Sequence, residues 1–93
     1  MNLETSDGIY EVTAALAALL EHKNMKYGDS ALHPIKVFSK LGTENSLLQR
    51  IDDKLSRVKN SEELRKNDVA DLMGYLVLLC IDKGWTDFEE FKD

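Results

Sequence analysis

Asp68, Asp71, Tyr75 and Asp82 follow one another at intervals of three, four and seven residues. That spacing puts all four along one face if the stretch is helical. Their neighbours Val69, Leu72, Met73, Leu76, Val77, Leu79 and Cys80 are apolar. A carboxylate in such company is costly unless it is paired, hydrogen-bonded or holding a cation. Asp68 alone could be an acid placed at a helix start, where the macrodipole favours it, but Asp71 needs a partner.

A second set of side chains suggests where anions would go. At 100° per residue, Arg50, Lys54 and Arg57 fall on one flank of the apolar stripe Leu47, Leu48, Ile51, Leu55 and Val58, while Asp52 and Ser56 fall on the other. Between residues 23 and 40, Lys23, Lys26, Lys36 and Lys40 face only Asp29, a local positive charge that can attract phosphate. In the same segment Tyr27 offers an aromatic face for a base, Asn24 and Ser30 offer hydrogen bonds, and Gly28 lets backbone approach a ligand. The competing reading packs Tyr27, Ile35, Val37 and Phe38 onto the fold and leaves the lysines in water. His22 and His33 have no partner at ligand spacing, and His33 before Pro34 reads as a turn residue.

Helices must position these groups. Ile9, Val12, Leu16, Leu19 and Leu20 predict an amphipathic helix over 5–23. An irregular connection follows over 24–42, containing a short helix opened by Pro34 and carrying Ile35, Val37, Phe38 and Leu41. Thr43 is the expected N-cap of a second helix ending at Asn60-Ser61. The charged SEELRKN reads as a turn or short helix, and Asn67 caps a third helix, 68–83, apolar enough to lie in the middle. Thr86-x-x-Glu89 has the form of a capping box before a short helix, with Trp85, Phe88 and Phe91 turned inward. The expected fold is a single all-α domain over 1–93, an antiparallel bundle of three main helices plus a short C-terminal one.

Composition limits the functions available. A chain of 93 residues, 43% hydrophobic, has room for one modest core and no disulfide to staple it, so a homo-oligomer is expected. A net charge of −5 argues against long DNA or RNA, whose phosphates call for a basic surface. Cys80, flanked by Leu78, Leu79 and Ile81, reads as a buried thiol rather than a nucleophile. The apolar run 72–81 is about half a membrane span, and no signal-like segment opens the sequence, so the expectation is a cytoplasmic protein that does not bind membranes.

The stretch DVADLMGYLVLLC, 68–80, resembles the third-helix signature of MazG-like all-α nucleotide pyrophosphohydrolases. The order KNMKYG, VFSK, RIDDKLSR and NDVADLMGYLVLL resembles the small nucleotide-modification-associated domains common in bacteriophages, over roughly residues 10 to 83. That resemblance implies two adjacent acids on the preceding helix, matched by Asp52 and Asp53, and a third acid three residues on, where this chain has Ser56. It implies a Mg2+ site on Asp52, Asp68 and Asp71, with no cofactor otherwise; magnesium accepts one or two carboxylates beside substrate phosphates.

Two functions are consistent with these residues. One is binding and sequestration of a nucleotide or nucleotide-derived signalling molecule without turnover, with Lys23, Asn24, Lys26, Tyr27, Gly28, Ser30, Lys36, Arg50, Lys54, Arg57 and Tyr75 as ligand contacts. The other is Mg2+-dependent pyrophosphohydrolysis, with Lys54 or Arg57 stabilising developing charge. The missing third acid favours the first. A helical adaptor presenting Trp85, Phe88 and Phe91 to a protein partner is the remaining class.

Overall fold

The computed structural model describes residues 3–28 and 42–93. The chain divides into two compact units, Met1–Ser30 and Ala31–Asp93. Among the described residues, regular structure consists of three α-helices and one 3-10 turn without a strand, so the protein is all-α as expected.

The first unit is built on α1, Leu3–Tyr27, which overruns its expected bounds at both ends. Glu4 in the first turn and Lys26 in the last complement the helix macrodipole, and no strong breaker stands before Gly28. That glycine adopts φ 60°, the left-handed conformation in which helices commonly terminate. Lys23 is helical as expected, and Asn24, Lys26 and Tyr27 are helical residues too, not part of an irregular connection. Ile9, Val12 and Leu19 on the apolar stripe are exposed, and Leu16 and Leu20 half-buried.

The second unit holds α2, Thr43–Asn60, and α3, Lys66–Lys83, packed against each other. Contacts between Glu44 and Lys83, Arg50 and Tyr75, and Lys54 and Asp71 run from one end of the pair towards the other. Their register makes the pair an antiparallel hairpin. Of the apolar stripe of α2, Leu47 and Ile51 are buried, Val58 is half-buried and Leu48 and Leu55 are exposed, while Gly74 is buried on α3.

Both hairpin helices start earlier than the capping patterns predict. Gly42 holds the N-cap position and accepts the Ser46 N–H at 2.9 Å, leaving Thr43 inside the helix. Arg65, not Asn67, precedes α3, where its carbonyl accepts the Val69 N–H at 3.2 Å. The end of α2 falls where expected. There the Ser61 N–H and hydroxyl both donate to the Arg57 carbonyl, at 3.1 and 2.5 Å.

At the end of α3, Gly84 has φ 75°, its N–H donates to Ile81, and the Trp85 N–H donates to Cys80. This is the Schellman arrangement, which satisfies the last carbonyls through a left-handed residue.

Two expectations fail at this end of the chain. The capping box does not form. Glu89 donates its N–H to Asp87 Oδ1 at 3.3 Å, and the chain continues into a single 3-10 turn, Glu89–Phe91. Trp85, Phe88 and Phe91 are exposed instead of inward-facing, because one 3-10 turn cannot extend an apolar face against the hairpin. Nor is α3 enclosed: Leu76 and Ile81 are exposed and Cys80 only half-buried. The short helix expected after Pro34 lies outside the described residues, as do Ser30, His33, Lys36 and Lys40. No described helix is long and apolar enough to cross a membrane.

Candidate functional site

The acidic seam of α3 finds its partner on α2. Lys54 Nζ lies 2.9 Å from Asp71 Oδ2 and 3.7 Å from Asp68 Oδ1. Side-chain exposure is 15% for Lys54, 4% for Asp68 and 26% for Asp71, so the cluster is mostly sheltered and its attractions are only weakly screened. The hydrogen bond to Asp71 holds the Lys54 ammonium above its ordinary 10.5; desolvation opposes the shift, the Asp71 charge supports it, Arg57 opposes it and Asp68 supports it. Lys54, expected to meet a ligand, is committed to these two carboxylates.

One turn before and one turn after Lys54 stand the other two cations of the flank. Arg50 lies over the ring of half-buried Tyr75, with its guanidinium carbon 5.8 Å from the centroid. Arg57 is exposed near the C-terminal end of α2. Four of the expected ligand contacts, Arg50, Lys54, Arg57 and Tyr75, thus lie on one hairpin. Lys23, Asn24, Lys26, Tyr27 and Gly28 cluster at the end of α1, where Lys26 Nζ is 5.7 Å from the Tyr27 ring centroid. Ser30 and Lys36 lie outside the described residues.

Where α2 turns into α3 there is an open cleft of about 650 Å³, lined by Arg57, Asn60, Arg65, Asn67 and Asp68 together with the intervening turn. Asp68 Oδ1 is buried and has no hydrogen-bond partner. Asn60, Arg65 and Asn67 escape sequence reasoning as cleft residues because Asn60 reads as a helix end, SEELRKN as a charged turn or short helix, and Asn67 as a cap. The available signal is the two flanking asparagines, which bracket the turn with amide groups.

Magnesium does not fit the carboxylates expected to hold it. Asp52 is exposed on α2, and Lys54 supplies the positive charge between Asp68 and Asp71. Among the described residues, no three His, Cys, Asp or Glu side chains are placed to share an ion. Asp52, Asp68 and Asp71 therefore do not form the expected site. No family model, curated protein or solved structure matches the chain.

Proposed function

We propose that the protein binds a nucleotide or nucleotide-derived small molecule and holds it without turnover. The observation that carries this reading is the cationic row on the hairpin. Arg50 and Arg57 flank Lys54 on one face of α2, and the aromatic ring of Tyr75 stands beside Arg50. A guanidinium binds phosphate oxygens through paired N–H donors, and a ring offers a stacking surface that tolerates any base. Lys54 supports the row without leaving it, since its charge is balanced across the hairpin. With Ser56 in place of the third acid and an ammonium between Asp68 and Asp71, the arrangement favours holding a polyanion over hydrolysing one.

The exposed apolar side chains support self-association as part of this reading. Only Leu47 and Ile51 are buried among the described apolar side chains that could form a core, while Ile9, Val12, Leu55, Leu64 and Trp85 are exposed. A small domain with so little buried apolar surface gains stability by covering more of it.

Thermal shift with a panel of linear and cyclic nucleotides, with and without magnesium, tests the proposal. Recovery of the small molecule after heat denaturation then separates the two nucleotide readings. A stabilising nucleotide returned unchanged is the expected result; released pyrophosphate would make the protein a hydrolase. No stabilisation by any member of the panel would end both.

A further inference from the structure

We infer that α1 is a dimerisation helix, pairing antiparallel with α1 of a second copy of this chain; the inference rests on the self-association in the reading above and names its surface. The first unit holds one described element, α1, whose 25 residues extend about 37 Å at helical rise. Ile9, Val12 and Leu19 are 47%, 54% and 37% exposed, with Leu16 half-buried among them. A lone helix is marginal in water and gains most of its stability by packing an apolar stripe, so this one is built to be covered.

The residue types and their spacing point to a copy of the same helix as the cover. Ile9, Val12, Leu16 and Leu19 alternate steps of three and four, the spacing of a two-stranded seam. In an antiparallel pair one register sets Ile9 against Leu19 of the second copy and Val12 against Leu16, each contact occurring twice about the two-fold axis. The same register puts Thr5 opposite Lys23, so polar residues bound the seam at both ends. Charge decides the direction. Glu4 and Lys26, in the first and last turns of α1, are exposed and lie about 40° apart on one flank of the stripe. A two-fold axis brings like flanks together, and Glu4 then lies about 3 Å along the axis from Lys26 of the other copy. Parallel helices would instead set Glu4 beside Glu4 and Lys26 beside Lys26. Lys26 Nζ is 5.7 Å from the Tyr27 ring centroid, an exposed cation–π contact too weak to withhold the lysine. Asp7, Glu11 and Glu21 occupy the far face of the helix, exposed to water, where they do not oppose the approach.

Sedimentation equilibrium of the full chain over a dilution series tests the pairing. The parent should self-associate, and Val12→Glu should weaken association at least about a hundredfold, since each seam then buries two carboxylates without partners. Val12 is exposed in the single chain, and circular dichroism checks that the variant stays helical. Glu4→Lys and Lys26→Glu should each weaken self-association a few-fold. A mixture of those two variants should form the mixed pair in preference to either alone, because every flank contact is then between opposite charges. Association of the parent that Val12→Glu leaves unchanged would overturn the assignment of α1 and leave self-association in place, and a mixture without preference would overturn the antiparallel direction. A monomeric parent would remove both the α1 pairing and the self-association, and would mean that the stripe is not covered by a second copy. Nucleotide binding in the thermal-shift panel is a separate readout that none of these results decides.

Discussion

The hairpin carries two lysine–carboxylate contacts of similar length in different surroundings. Lys54 reaches Asp71 at 2.9 Å with 15% of its side chain exposed, and Lys83 reaches Glu44 at 2.7 Å with 39% exposed. Each ammonium is held above its ordinary 10.5, chiefly by the hydrogen bond to its carboxylate. Distance therefore does not distinguish them. The first pair shelters a second, nearly buried acid, Asp68, so removing its lysine strands charge where water cannot replace the partner. The second loses little on separation, because both members are already hydrated. Burial decides which contact matters to the fold.

Lys54→Met is the sharpest way to break that comparison. It should cost about 3 kcal/mol, the lower end for an interrupted buried pair because Asp71 is partly open, measured as the loss of urea stability. A loss no larger than that of an exposed pair would show that water reaches Asp68 and that the cluster is a surface feature.

Leu47→Ala should cost about 2 to 4 kcal/mol through the cavity it leaves and calibrates the hairpin core on the same urea axis. Gly84→Ala should cost about 1 kcal/mol, because a Cβ is strained at the left-handed end of α3 although nothing crowds it. Hydrogen exchange at the last α3 amides should rise in that variant. At the low end, Lys83→Met should leave the urea midpoint of the parent nearly unchanged, and salt should erase what difference there is.

The pH dependence sharpens the same contrast. Because the folded pKa of Lys54 lies above 10.5, its contribution is fully present below 10.5 and is lost only as pH climbs through the raised value. The stability gap between the parent and Lys54→Met should stay level from pH 8 to about 10 and close above that. A gap that closes near neutrality would assign the effect to some other group.

Much of the architecture is legible in local pattern. The Leu47, Ile51, Leu55 periodicity marks α2, Asn60-Ser61 marks its end, and the spacing of Asp68, Asp71 and Tyr75 does place all three where α2 side chains meet them. Expectations fail where the outcome depends on a neighbour. Thr43 and Asn67 are good caps in isolation, but the helices begin one and two residues before the positions those caps imply. Thr86 to Glu89 has capping-box form, yet no longer helix is there to use it. The stretch 24–27 reads as irregular because Tyr-Gly resembles a turn, although the helix runs on to Tyr27 and ends before Gly28.

The amino-acid order alone determined that this chain is helical, where the hairpin turns, and which polar side chains share a face, because backbone preference and 3.6-residue periodicity act between near neighbours. Only the tertiary structure decided that an ammonium lies between Asp68 and Asp71, and that a cleft opens where α2 turns into α3. Those outcomes depend on the register of two helices packing across a turn. A carboxylate has the same covalent structure whether its partner is a lysine, a metal or water, and burial and geometry choose among them.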